Sequence, residues 1–121
     1  NKADIREDAA IELDKLVVIL NDNPNITVEL SSHTDDRSTV DYNQDLSQRR
    51  AESAVSYIVS RGVSEKRITA KGYGESQLII PNAKTEDEHQ INRRTEFKVT
   101  SYEFIEDPEN GDVEEKFFNN N

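Results

Sequence analysis

Residues 39–61, TVDYNQDLSQRRAESAVSYIVSR, limit the possible folds more than any other stretch. At about 100° per residue, Val40, Leu46, Ala51, Ala54, Val55 and Ile58 form one stripe, which predicts a long amphipathic helix packed on a sheet. Ser38-Thr39-Val40-Asp41 has the S-x-x-D form of a capping box. Gly62 stands where a left-handed residue closes such a helix. The chain supplies apolar strands on both sides of it. Ile26, Val28 and Leu30 alternate with Thr27 and Glu29, as in a half-buried strand. Residues 67–72, RITAKG, read as a second strand. Residues 94–100 alternate again and read as a third, with Phe97 and Val99 inward.

A first helix precedes these elements. In residues 5–20, IREDAAIELDKLVVIL, Ala9, Leu13, Leu16, Val17 and Leu20 recur at helical spacing. Asp4 and Glu7 match a capping box, and Asn23-Pro24 is a stop signal. Gly72-Tyr73-Gly74 is too short for a phosphate cradle and reads as a strand break. Residues 75–90 read as a loop with one helical turn around 86–90. The expected fold class is α+β: a small mixed sheet of three to four strands with two main helices on one face. Three strands make a thin sheet, and the chain opens abruptly at Asn1 without any Met. It is therefore read as a piece of a longer protein, with a first strand expected upstream.

Charge divides the chain in two. Residues 102–121 carry −6 of the formal net charge of −10, leaving −4 for residues 1–101. The expected organisation is one domain over 1–101 and an acidic tail or linker over 102–121. A charge of −10 disfavours non-specific binding to nucleic acid or anionic lipid. No apolar run approaches about 18 residues, so membrane insertion by this domain is not expected. With no Cys, disulfides and thiolate metal sites are excluded.

The polar signal lies at one end of the predicted sheet. The first strand runs into His33-Thr34-Asp35-Asp36, just before the long helix. On the wheel, Asn43, Ser47 and Arg50 fall within the apolar stripe, whereas Arg49 faces away, four residues after Asp45. A guanidinium on a core-facing stripe is costly unless anions meet it. Arg50 is read either as half of a structural ion pair or as the floor of a polar pocket walled by the HTDD loop. In the second reading Asp35 and Arg50 present one fixed anion and one fixed cation, which suits a zwitterionic ligand. Arg93 shares the parity of Phe97 and Val99, so it either looks into that pocket or flanks the sheet. His33 shares the outward parity of Glu29 and Ser31 and reads as exposed or loop-fixing. His33, Asp35 and Asp36 are too few ligands for a metal, and His89 is placed in a loop. No G-x-S-x-G elbow is present, and no cofactor motif is read.

Four stretches together carry a resemblance: HTD, YN-x-x-LS-x-RRA, GYGES and NRR, in that order within residues 1–100. The chain resembles the OmpA-like peptidoglycan-binding domain of Gram-negative outer-membrane and periplasmic proteins, the family that includes OmpA, Pal and MotB-like proteins. The resemblance implies non-covalent binding of the peptidoglycan stem peptide through diaminopimelate, without catalysis, metal or cofactor. It implies a periplasmic location and a parent associated with the outer membrane. Residue by residue, it gives Asp35 the ligand ammonium and Arg50 the ligand carboxylate. Asn43, Thr34 and neighbouring backbone amides would complete the pocket and Arg93 would line it, with Asp36 counted among the binding residues and Asn1 bordering them. The wheel adds Ser47 to the pocket floor beside Asn43 and Arg50. Ser38 stands where many members have Gly, which its capping role accommodates. Two rivals remain open: an acidic protein–protein interaction module of the periplasm, and a hydrolase acting on the wall.

Overall fold

The computed structural model describes residues 7–105. In chain order the elements are α1 (Glu7–Asp22), β1 (Thr27–His33), α2 (Val40–Ser60), a 3-10 turn (Glu65–Arg67), β2 (Ile68–Gly74), α3 (Glu86–Asn92) and β3 (Arg94–Ser101). The sheet has the order β2-β1-β3, with β1 parallel to β2 and antiparallel to β3. The expected α+β class and mixed sheet are therefore observed. The core joins Leu13, Leu16, Val17 and Leu20 of α1 to Val28 and Leu30 of β1, Ala51, Ala54 and Ile58 of α2, and Ile68 of β2. Both main helices thus share one apolar layer with one sheet face.

The periodic signals locate most elements, and three local readings change. The α2 cap is Thr39 rather than Ser38: its hydroxyl accepts from the Tyr42 amide at 3.1 Å. Residue 38 stays in the loop, where its carbonyl accepts from Asn43 Nδ2 at 3.3 Å. Val40, expected on the buried stripe, is 64% exposed. Helical side chains lean towards the N-terminus, so the first residue of α2 points past the helix start and off the sheet. Phe97, expected inward, is 46% exposed although it pairs with buried Leu30. The reason is that α2 lies over β2 and β1, leaving the helix-side face of the β3 edge thinly covered.

The reading of Gly72-Tyr73-Gly74 as a break is also corrected, because β2 runs through all three. Here α2 rests on the strand at close range. A Cβ on Gly72 would stand 2.2 Å from the Gln48 amide nitrogen and 2.5 Å from its Cα. Side chains of α2 also serve the strand backbone. Gln48 Oε1 accepts from the Gly72 amide at 2.7 Å, and Gln44 Nε2 donates to the Gly72 carbonyl at 2.7 Å. Ser47 Oγ accepts from the Gly74 amide at 2.8 Å. Backbone groups that would otherwise be unpaired are satisfied by the helix above them.

The opposite end is closed by a buried guanidinium. Arg67 donates to the carbonyls of Leu20 at 2.9 Å, Asn23 at 2.6 Å and Ile26 at 3.0 Å, tying the end of α1 to the start of β1. The Phe104 ring lies 5.8 Å from it, and the Phe104 amide donates to the Asn25 carbonyl at 2.9 Å. Contacts with the domain thus continue past residue 101. Residues 106–121 of the expected tail, Asn1 and the Asp4 half of the first capping box lie outside the described residues.

Candidate functional site

The charged end of the sheet is built around the loop after β1. Thr34 leaves the strand with its amide donating to the Gly74 carbonyl at 2.9 Å. Its hydroxyl donates to the Asp35 carbonyl at 2.8 Å. Asn43, buried in the first turns of α2, donates from Nδ2 to the Asp35 carbonyl at 3.1 Å and to Glu75 Oε1 at 2.8 Å. Ser47 is fully buried, holding Gly74 and donating to the Gln44 carbonyl at 3.0 Å. Thr34, Asn43 and Ser47 are thus brought to the site, but their polar atoms fix the loop and the strand end around Asp35. A packed arrangement of this kind holds a carboxylate in one orientation.

Asp35 is the centre of an ion-pair network. Its side chain is 11% exposed. Oδ1 accepts from the Arg37 amide at 3.0 Å. Oδ2 accepts from Arg37 Nη2 at 2.9 Å, Arg37 Nε at 3.2 Å and Arg93 Nη1 at 2.6 Å. Burial alone would push the Asp35 carboxyl up. The bonds from the Arg37 side chain and amide, and from Arg93, outweigh it and hold the group at about 2. Asp35 is therefore an anion at any physiological pH. Both guanidinium groups also reach Glu86, with Arg37 Nη1 to Oε1 at 3.0 Å and Arg93 Nη2 to Oε2 at 2.7 Å.

Arg93, for which the sequence left two readings, turns towards Asp35 rather than merely flanking the sheet. Arg50 is half-buried at the middle of α2, near enough to Asp35 and Arg93 to feel their charges. Burial pushes its guanidinium down, Tyr42 and Asp35 act against that, and Arg93 and Arg49 add repulsion. The site thus holds one buried carboxylate within a cluster of cations. Arg49 faces out and pairs with Asp45 at 2.8 Å, as its place on the wheel requires. Asp36 is exposed, with Oδ1 3.9 Å from His89 Nδ1.

Two histidine placements are corrected. His33 is 2% exposed, not open to solvent. The Tyr73 ring, anchored by its hydroxyl donating to Glu29 at 3.0 Å, stacks on it at 5.2 Å and covers the outward side of the strand. Burial, helped by Arg94, pushes the His33 pKa down against Glu96 and Glu29. His89 is buried on α3 rather than placed in a loop. That helix has a full capping box, Thr85 with Glu88, a local signal in T-E-D-E that the sequence reading passed over.

Two members of the network were missed in the sequence, Arg37 and Glu86. Arg37 could have been found from Asp35-x-Arg37, because an Asp commonly accepts from the amide two residues on. Glu86 carried no such signal, being 49 residues from Arg37. Among the described residues no group of three or more His, Asp or Glu is placed to hold a metal ion. Among them, too, no helix is long and apolar enough to cross a membrane.

Fold and site together define a small α+β domain whose charged end presents a fixed carboxylate among arginines. The chain belongs to the OmpA family, whose model matches residues 1–93. It is 35% identical over 95 residues to a peptidoglycan-associated lipoprotein from Buchnera aphidicola, covering 78% of this chain and 54% of that protein. It is also 35% identical over 104 residues to a photosystem I P700 chlorophyll a apoprotein A2 from Gloeobacter violaceus, covering 82% of this chain but 12% of that protein. The chain thus spans about an eighth to about half of these curated relatives. The fold is that of the peptidoglycan-associated lipoprotein of Burkholderia pseudomallei, with a TM-score of 0.74 and 22% identity, covering 81% of this chain and 82% of that one.

Proposed function

We propose that this domain binds peptidoglycan non-covalently through the diaminopimelate of the stem peptide, and so ties a larger envelope protein to the cell wall in the periplasm. The observation that carries the reading is the buried Asp35 carboxylate, held by Arg37 and Arg93 on a loop that Thr34 and Asn43 fix, with Arg50 of α2 near enough to feel its charge. An oriented anion beside a cation suits a ligand end that bears both an ammonium and a carboxylate. Membership of the OmpA family and the likeness to a peptidoglycan-associated lipoprotein support it. Oδ2 of Asp35 is crowded by both arginines, whereas Oδ1 accepts from the Arg37 amide. Each carboxylate oxygen has two lone pairs, so the ammonium is assigned to Oδ1.

The domain acts here as a binder and not as an enzyme. A few charge-assisted contacts, each worth ~1.5–3 kcal/mol, give modest affinity once association costs are met. Holding strength comes from repetition, because the wall is a lattice and many parent molecules face it at once. Retention of the protein by purified sacculi is the test. Asp35→Ala is expected to reduce retention at least about tenfold, the loss of roughly one charge-assisted contact. Undiminished retention of that variant would refute the assignment, and release of soluble muropeptides by the wild type would show a hydrolase instead. Steep salt sensitivity with no dependence on Asp35 would point to an acidic docking surface.

A further inference from the structure

Arg37 and Arg93 are shared by two carboxylates of very different exposure. Each guanidinium gives one side to Asp35 Oδ2, at 2.9 Å from Arg37 Nη2 and 2.6 Å from Arg93 Nη1. Each gives another nitrogen to Glu86, one oxygen per arginine, at 3.0 Å and 2.7 Å. The Asp35 side chain is 11% exposed and the Glu86 side chain 60%. One carboxylate is therefore fixed in the loop, and the other reaches in from the surface. The bonds from Arg93 and then Arg37 pull the Glu86 carboxyl below its usual range, so it too is ionised at neutral pH. Arg37 is itself about half-exposed, with a side-chain value of 48%. Exposed ion pairs of this kind are weak and exchange readily.

Two guanidinium groups, pre-aligned by a buried anion behind them and bridged in front by an exposed carboxylate, make a carboxylate seat with an internal occupant. Planar N–H pairs recognise carboxylate geometry in particular. We propose that Arg37 and Arg93 form a carboxylate subsite of the binding surface, and that Glu86 is its built-in competitor, displaced when a carboxylate of an acidic peptide binds. This inference rests on the peptidoglycan reading for the identity of the peptide, and on this geometry alone for the subsite. Arg50 of α2 takes no part in these bonds to Glu86 and meets the seat through charge, repelled by Arg93. Glu86 would then set the apparent affinity, because the ligand must exchange with it and not simply add to a free site.

The test compares wild type with Glu86→Gln, which keeps the shape of the side chain and removes its charge. Asp87→Asn is the control, removing the same charge from the adjacent exposed residue of α3. Two probes are titrated: the diaminopimelate-containing stem tetrapeptide, by calorimetry, and propionate, read on the Arg37 and Arg93 Nε–H signals by NMR. Glu86→Gln is expected to bind both probes at least threefold more tightly, while Asp87→Asn stays near wild type. Unchanged or weaker binding of both probes by Glu86→Gln would overturn the proposal, showing that Glu86 only positions the arginines. An equal gain in Asp87→Asn would overturn it too, since the effect would then be general charge. If the tetrapeptide binds neither protein, the peptidoglycan reading fails, and the propionate arm still decides the subsite: a tighter response in Glu86→Gln supports it and no response overturns it.

Discussion

Gly72→Ala is expected to destabilise the domain by about 3 kcal/mol or more, at the upper end of what overpacking costs. The new methyl carbon would lie 2.2 Å from a backbone nitrogen and 2.5 Å from a backbone Cα, both of Gln48. No side-chain rotation relieves a clash with helix backbone, so α2 must lift from β2. That movement would also break the paired bonds between the Gly72 backbone and the side chains of Gln44 and Gln48, at 2.7 Å each. It would then loosen the Ser47 hydroxyl from the Gly74 amide, and Gly74 in turn holds the Thr34 amide. Stability and ligand binding should therefore fall together. Gly62→Ala is the contrasting case. Nothing lies within 4 Å of its Cβ position, so only the strain of φ +104° opposes it. A left-handed non-glycine residue costs roughly 1–2 kcal/mol. Urea denaturation of the two variants checks this, and a Gly72→Ala midpoint no lower than that of Gly62→Ala would refute it.

The contrast between those glycines also marks what the sequence could reveal. Gly62 is legible because it closes a helix, a local event with a local signal. Gly72 reads locally as a strand breaker, and its actual role depends on where α2 comes to rest, which no window of sequence contains. The same division runs through the fold. The stripes of α1 and α2 and the alternation of β1 were legible because each lies against one apolar layer. Phe97 and Val40 kept the right pattern but lie at the margins of that layer, where pattern does not measure cover. His33 had the right parity for the outward face, and the sequence-distant Tyr73 ring stacks on it there, beside Ser31 and Glu96.

At the site, Arg50 and Arg93 were legible as charges in places that apolar packing should occupy, and Asp35 through the HTD stretch that carries the family resemblance. What remained hidden was how Asp35 is held. Arg37 had its local signal in Asp35-x-Arg37, whereas Glu86 comes from α3, and an exposed charge 49 residues away carries no periodicity to betray it. Thr34, Asn43 and Ser47 were located correctly in space. Their polar atoms are directed into the protein, so their expected effect on binding is indirect, through the position of Asp35.

Binding of a stem peptide with a free diaminopimelate end is expected to be at least ~10-fold tighter than binding of a lysine-type stem or of the amidated diaminopimelate form, a difference of ~1.4 kcal/mol or more. The free end carries an ammonium for Asp35 and a carboxylate for Arg50. A lysine end carries the ammonium alone. Arg50 is already partly desolvated, which depresses its pKa, with Arg93 and Arg49 adding repulsion. An incoming carboxylate relieves that repulsion, whereas a lysine end brings no anion to offset it. An amide accepts a neutral hydrogen bond and cannot form the charge-assisted bidentate pair. Arg50→Ala should therefore erase most of the discrimination among the three peptides. Arg49→Ala should preserve it, because Arg49 points outward and pairs with Asp45 at 2.8 Å. Protonation gives a second handle. Asp35 has its folded value lowered to about 2, so its charge, and the stability tied to it, persist above its ordinary value near 3.8 and are lost only as pH falls through about 2. The ammonium contact should thus survive at pH 4, where a more ordinary carboxylate is partly protonated. Calorimetry with the three peptides, on wild type and both arginine variants, is decisive: equal affinities for all three, or equal damage from the two substitutions, would remove Arg50 from the pocket.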